Sequence, residues 1–174
     1  MSVDPRENYA ESVEKKEEKY FRSSEPVSFD HETIIITDPY YVVDEGKRGD
    51  DDWQKSAYGE RMDSLGFKKF VAHNTIYGDW SCTVYEDGTD KTLGEFCADT
   101  GMVCVFSLDE VLKYNPSFNF HTEKPWTTCV IKDFTGDVYV KVEKVGNRGI
   151  SCVDYEANVV GKGSVNFHSV QTGL

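Results

Sequence analysis

Three aspartates and one histidine have the residue types and local settings that acid–base chemistry requires. Asp38 precedes a proline, Asp79 follows a glycine, and Asp99 begins an Asp-Thr-Gly tripeptide. His73 lies shortly before Asp79 in the chain. If the fold gathers these four side chains, they could supply the general acid and base of a small hydrolase or a nucleotide-processing enzyme. Aspartates at turns also accept bonds from backbone N–H groups, so a structural role stays open.

Other short motifs are better explained as turns than as sites. Asp99-Thr100-Gly101 resembles the active-site tripeptide of aspartic proteases, but it occurs once, and Met102 stands where those enzymes carry a small residue. Gly161-Lys162-Gly163-Ser164 lacks the upstream glycine of a phosphate-binding loop and is typical of a β turn. No two cysteines have C-x-x-C spacing, and no two histidines have the spacing of a helical zinc site. The sequence therefore predicts no metal site and no cofactor.

Negative charge is concentrated in the first third of the chain. The formal net charge is -12, and residues 1–52 hold 15 Asp and Glu against 7 Lys and Arg. This balance argues against direct nucleic-acid binding and favours a protein partner with a basic surface. We expect that partner to be contacted by two acidic runs and the tryptophan beside them, namely Glu14, Glu17, Glu18, Asp50, Asp51, Asp52 and Trp53.

Composition and cysteine placement predict a cytoplasmic protein. The cysteines lie in or beside apolar runs, and their odd number of 5 argues against a disulfide framework, so we expect buried, reduced thiols. No stretch approaches the roughly 18 apolar residues of a membrane span, and the charged first residues do not resemble a signal peptide. Association with a membrane is therefore not expected.

The chain divides into an acidic helical arm at 1–26 and a single β-rich domain at 27–174. Asp4 has the position of an N-cap, Pro5 suits the first helical turn, and Glu7 completes a capping-box pattern. This predicted helix continues to about Phe21 and presents little apolar surface, because Tyr9 and Val13 are its main apolar pair. It is therefore expected to pack weakly or to dock on a partner.

The rest of the chain is typical of short strands joined by turns. Strand-like segments are expected at 33–37, 67–72, 74–77, 79–85, 92–98, 102–107, 127–134, 137–145, 150–155, 159–160 and 164–170. Tyr40 to Val43 should resume the first strand, and Ser107 should cap a short helix ending near Leu112. Thr135-Gly136 should form a hairpin turn, and Asp87-Gly88 should form another in which the Asp-Gly pair favours a positive φ. A second short helix is expected around Trp53. The pattern predicts a mainly β fold, an antiparallel sandwich or partly open barrel with a short N-terminal helix and one or two short internal helices.

Several motifs together resemble a family of small phage and prophage proteins. They are Ile36-Thr37-Asp38-Pro39-Tyr40-Tyr41-Val42, Tyr77-Gly78-Asp79, Ala98-Asp99-Thr100-Gly101, Asn166-Phe167 and Gln171-Thr172-Gly173-Leu174. Members of that family often have cysteine at the position of Tyr40 and glycine at the position of Trp80. The resemblance spans about residues 33–174 and implies a phage origin and a β fold, but no particular activity.

Three functions are compatible with these observations. The favoured one is a non-enzymatic, phage-encoded binding protein that acts by protein–protein contact, in its most specific form as an inhibitor of a host defence complex that binds nucleic acid. The first alternative is the enzyme that would use Asp38, Asp79, Asp99 and His73. The second is a virion or assembly component. The sequence leaves the oligomeric state open.

Overall fold

The computed structural model describes residues 23–42, 66–74, 80–98, 101–119, 125–147 and 153–172. Its strands are β1 (Val27–Thr37), β2 (Phe70–Asn74), β3 (Trp80–Glu86), β4 (Thr92–Ala98), β5 (Met102–Ser107), β6 (Thr128–Asn147), β7 (Val153–Gly163) and β8 (Phe167–Thr172). Within the described ranges, the helices are α1 (Pro39–Val42), α2 (Leu108–Tyr114) and a 3₁₀ turn at Pro125–Thr127. The predicted N-terminal helix and the predicted helix around Trp53 lie outside these ranges.

The eight described strands form one antiparallel sheet in the order β2-β5-β1-β6-β7-β8-β3-β4. The sheet curls into an open half-barrel, which confirms the predicted mainly β class with a partly open antiparallel barrel. The curl brings β4 over the start of β6, because a Cβ added to Gly94 would lie 3.1 Å from Cys129 Sγ. Strands that are distant in the sheet order therefore share one interior.

Side-chain alternation places an apolar layer on each face of the sheet. In β1, Ile34 and Ile36 belong to the larger layer, which fills the half-barrel and defines the inner face. Ile35 belongs to a smaller layer on the opposite, outer face. Helix α2 covers that smaller layer and buries Val111 in it. The outer face is thus covered by a helix over one half of the sheet.

Strand β6 spans 20 residues without a reversal, so the predicted hairpin turn at Thr135-Gly136 is wrong. Its first half pairs with β1 and its second half with β7. The chain bends at this point, since Asp133 and Gly136 have positive φ angles of 51° and 150°. A Cβ at Gly136 would overlap the backbone carbonyl oxygen of Lys162. The glycine therefore permits a close approach of β6 to β7 instead of a turn.

The residues after Pro39 form a short helix, so the expectation that Tyr40 to Val43 resume the first strand is wrong. Asp38 and Pro39 are both favourable at a helix start. The carboxylate accepts a hydrogen bond from a backbone N–H that has no partner within the helix, and the proline ring fixes φ. At the second helix, Ser107 occupies the predicted N-cap position before α2. Its side chain makes no capping hydrogen bond there. In the described part of the chain, no helix is long and apolar enough to cross a membrane.

Replacing Gly161 by alanine should destabilise the fold. A Cβ at this position would overlap the ring of Phe167, which is fully buried in the inner layer. Overpacking of this kind costs about 1–3 kcal/mol. The matched control is Gly146→Ala, because nothing lies within 4 Å of the added Cβ there. Urea unfolding should show a loss for Gly161→Ala and a change within about 0.5 kcal/mol for the control. Equal midpoints for the two variants would contradict the packing of Phe167 against Gly161.

Candidate functional site

Asp38 is completely buried at the end of β1, where it caps the first turn of α1. Its Oδ1 accepts a hydrogen bond of 2.9 Å from the backbone N–H of Tyr40. Burial, and then the charge of Asp38, raise the pKa of the Cys104 thiol well above its ordinary value. Cys104 belongs to the apolar layer of the outer face. The Asp38 carboxylate therefore has a structural role next to that layer.

His73 lies on the other side of the sheet. It pairs in register with Val103, and it shares a strand face with Val71 two residues before it. Val71 and Val103 both belong to the inner apolar layer, and His73 is itself buried. His73 therefore lies on the inner face and Asp38 lies next to Cys104 of the outer face, so the sheet separates these two side chains.

The remaining residues of the predicted sites lie outside the described residues. They are Asp79 and Asp99 of the acid–base set, and Glu14, Glu17, Glu18, Asp50, Asp51, Asp52 and Trp53 of the expected partner surface. Their roles stay predictions. Among the described residues, the candidate site lies on a surface that the sequence did not single out.

A row of side chains crosses four strands on the outer face, on the half of the sheet away from α2. In register, Tyr139 of β6 faces Val160 of β7, which faces His168 of β8, which faces Tyr85 of β3. We call this set the tyrosine row. It places an aromatic side chain at each end and an imidazole between them.

His168 is held in the row by a carboxylate and an aromatic ring. Asp87 Oδ1 contacts Nδ1 of His168, and Asp87 Oδ2 lies 3.4 Å from Nζ of Lys162. The ring of Tyr85 stacks on the imidazole with centroids 5.7 Å apart. The hydrogen bond from His168 is the main cause that lowers the pKa of Asp87, with Lys162 adding to it against partial burial. Because Asp87 engages Nδ1, Nε2 is the nitrogen through which His168 can meet another molecule.

The Asp87 carboxylate owes its position to two adjoining turns. Gly88 has a φ of 75° in the turn between β3 and β4, which confirms the positive φ that the Asp-Gly pair predicts. The backbone N–H of Asp87 donates to the carbonyl oxygen of Asn166 at 2.8 Å, in the turn between β7 and β8. The two turns are thereby joined, and Asp87 is fixed beside His168.

Two glutamates lie directly opposite each other beyond the tyrosine row. Glu143 of β6 pairs in register with Glu156 of β7, and like charges at such positions destabilise a strand pair. Lys141 Nζ lies 2.7 Å from Glu143 Oε1, and this contact raises the pKa of Lys141. Asn158 donates a hydrogen bond of 3.3 Å to Oε1 of Glu156. Among the described residues, Lys141 is the cation that contacts this pair, and it contacts Glu143 only, which leaves this part of the face negative.

Large apolar side chains are exposed on the same strands. Tyr85 is 42% exposed, Val170 is 38% exposed and Val145 is 54% exposed. In contrast, Phe106 of β5 and Val111 of α2 are fully buried on the other half of the outer face. We use the term bare face for the outer face of the second half of β6 together with β7, β8 and β3. It combines exposed apolar side chains with a negative flank.

A cleft of about 560 Å³ lies between the segment before β2 and helix α2. Lys68, Lys113, Glu110 and Tyr114 contribute to its lining. The Glu110 carboxylate accepts bonds from the backbone N–H groups of Lys68 and Lys69 at 3.3 and 3.4 Å. The Glu110 carboxylate thus ties the chain before β2 to the helix.

The thiols of the buried cysteines are suited to the core and not to catalysis. Cys82, Cys104 and Cys129 are buried and form no disulfide. Burial raises the pKa of Cys129 to about 12, which keeps its sulfur protonated and unreactive at neutral pH. Within the described ranges, no group of three or more His, Cys, Asp or Glu has a geometry that could hold a metal ion.

Sequence reasoning missed the bare face because its members are far apart in the chain. Alternation in β8 could have shown that His168 faces away from buried Phe167 and Ser169. Nothing local indicates that Tyr85 stacks on His168, since the contact depends on β8 lying between β7 and β3. The sequence therefore indicates the direction of the His168 side chain but not its contact with Tyr85.

Comparison with known proteins does not add an identity. The chain matches no protein-family model, no curated protein and no solved structure. Any function proposed for the chain therefore rests on the arrangement of its side chains.

Asp87→Asn should weaken the fold at neutral pH and change its response to acid. In the folded state the pKa of Asp87 is lower than its ordinary value of 3.8. The contribution of the Asp87 carboxylate to stability is therefore complete above pH 3.8 and is lost as the pH falls through the folded-state pKa. The gap in melting temperature between wild type and Asp87→Asn should therefore be largest at neutral pH and close below about pH 3.8. Asp90→Asn, in the same turn and fully exposed, is the control. A constant gap from neutral to acid pH would argue against the Asp87–His168 bond.

Proposed function

We propose that this chain is a non-enzymatic binding protein whose bare face contacts a basic protein partner. One observation supports this most directly. Exposed apolar side chains and an under-neutralised glutamate pair lie on the half of the outer face that no helix of the described residues covers. Exposed apolar area beside polar groups is the usual composition of an interaction surface.

The tyrosine row would supply the apolar centre of the contact. Tyrosines are enriched among the residues that dominate binding energy, because they bury a large rigid area and keep a polar group at the tip. Tyr85 is stacked on His168, so little side-chain freedom remains to be lost when a partner binds. Val170 extends the apolar area along β8.

The glutamate pair would set the preference for a basic partner. A lysine or arginine placed between Glu143 and Glu156 would relieve their mutual repulsion, which Lys141 offsets at one of them only. The net charge of -12 would attract such a partner over a longer range. The predicted acidic residues between Glu14 and Trp53 would extend the same attraction.

The more specific form of the proposal concerns a phage-encoded protein that acts in the host cytoplasm. There it would inhibit a defence complex by occupying a basic, nucleic-acid-binding surface. The net negative charge and the resemblance to phage and prophage proteins support this form. The function requires no direct contact with nucleic acid and no membrane.

Charge reversal on the bare face should abolish partner binding. In pull-downs from host lysate, basic proteins that the wild type retains should be lost with Glu143→Lys/Glu156→Lys. Tyr85→Ala should lower the affinity for the same proteins at least tenfold, since truncating a tyrosine hot spot costs about 2 kcal/mol or more. Asp109→Lys is the matched control, because it reverses an exposed acid on α2, on the covered half of the sheet. If both the double variant and Tyr85→Ala retain the same proteins as the wild type, the bare face is not the binding surface.

Salt should weaken the association with the partner so identified. Raising the salt concentration from about 50 to about 500 mM should lower the association rate by roughly tenfold or more, with a smaller change in the dissociation rate, because screening acts mainly on encounter. Surface plasmon resonance separates the two rates. Glu143→Gln/Glu156→Gln should show a shallower salt dependence than the wild type. Salt-independent rates would remove the electrostatic part of the proposal.

A further inference from the structure

The cleft between the segment before β2 and helix α2 has two walls that hydrogen bonds tie together. Residues 66–68 line one wall, and Glu110, Lys113 and Tyr114 line the other. The three α2 residues share one helix face, because they are spaced at i, i+3 and i+4. The bonds from the backbone N–H groups of Lys68 and Lys69 to the Glu110 carboxylate join the walls. The cleft is therefore a built part of the fold.

The cleft has the size and the lining of a small-molecule site. Its volume of about 560 Å³ lies within the range of roughly 300–1,000 Å³ that is typical of ligand pockets. Phe67 and Tyr114 supply aromatic surface, with ring centroids 5.4 Å apart. Phe67 in turn packs on Phe106 of the outer apolar layer, which supports this lining from below. At Gly66 an added Cβ would meet nothing within 4 Å, so the cleft is open on that side.

Two lysines of the cleft have no ion pair among the described residues. Lys68 and Lys113 are exposed and line opposite walls. In contrast, Lys69 lies 3.3 Å from a carboxylate oxygen of Glu32. Both oxygens of Glu110 accept bonds from the backbone N–H of Lys68. The lining thus holds two lysines against one glutamate, a formal charge of +1 in a chain whose net charge is -12.

This lining is suited to an anion that carries one negative charge on a flat apolar body. A carboxylate would accept charge-assisted hydrogen bonds from the ammonium groups of Lys68 and Lys113. The lysine stems and the partly exposed ring of Tyr114 would cover the apolar body. A dianion such as phosphate fits less well, because its second charge would be repelled by the Glu110 carboxylate and it has no apolar part.

We propose that this cleft binds a small aromatic monocarboxylate. The carboxylate lies between Lys68 and Lys113, and the aromatic ring packs against Tyr114. The cleft belongs to the half of the outer face that α2 covers, so this site is separate from the bare face. The proposal therefore does not depend on the protein contact proposed above.

The test compares ligands that differ in charge or in ring, using the full-length chain. In ¹H–¹⁵N spectra, titration with indole-3-acetate or benzoate should shift the backbone amide signals of Gly66 and Lys68. Indole-3-acetamide has nearly the same size as indole-3-acetate but no charge, and it should bind several-fold more weakly. Inorganic phosphate has the charge but no ring, and it should also bind more weakly than indole-3-acetate.

Substitutions on the two walls test the roles of the charged groups. Lys68→Gln and Lys113→Gln should each weaken the binding of indole-3-acetate several-fold, and the double variant should weaken it roughly tenfold. Glu110→Gln should strengthen binding, because it removes the negative charge of the cleft while its amide oxygen can still accept the backbone bonds. The matched control is Lys91→Gln, which removes an exposed lysine in the turn between β3 and β4 and should bind like the wild type.

Three results would overturn the proposal. The first is that neither indole-3-acetate nor benzoate shifts the Gly66 and Lys68 signals up to its solubility limit. The second is that indole-3-acetamide or inorganic phosphate binds as tightly as indole-3-acetate. The third is that Lys68→Gln/Lys113→Gln binds indole-3-acetate like the wild type and the Lys91→Gln control.

Discussion

The pairing of one long strand with both halves of the sheet is the constraint on which the rest of the structure depends. β6 pairs with β1 along its first part and with β7 along its second. Where the partners change over, β6 and β7 approach so closely that Gly136 and Gly163 both lack space for a Cβ. Because side chains alternate along a strand, this single register decides which residues of every neighbouring strand face the interior.

The two faces of the sheet that result have opposite physical characters. The inner face carries the larger apolar layer, and the outer face is divided between a part beneath α2 and the bare face. Tyr85, His168, Glu143 and Glu156 lie on that bare face, where water reaches them. This separation places the proposed protein contact on the face that water reaches, opposite the apolar interior.

Buried polar groups elsewhere in the fold show by contrast what is unusual about β8. The hydroxyl of Thr37 donates to the carbonyl oxygen of Thr127 at 3.1 Å and accepts from the hydroxyl of Thr128 at 3.2 Å. Asp38 is likewise used, as the cap of α1. The fold can therefore satisfy buried polar side chains at the ends of its strands. Ser169 and Gln171 depart from that rule, since the polar atoms of their side chains have no hydrogen-bond partner among the described residues.

The sequence by itself determined the mainly β class, the bounds of β4 and β5, the Asp-Gly turn and the position of Ser107 before α2, because these depend on local propensity and on residues that are neighbours in the chain. It could not determine that Thr135-Gly136 continues a strand, since a glycine needed for close approach looks like a glycine needed for a turn. Nor could it bring Tyr85, Asp87 and His168 together, or place His73 and the Cys104 layer on opposite faces. Those outcomes depend on β8 lying between β7 and β3 and on the curl of the sheet, which only long-range packing decides.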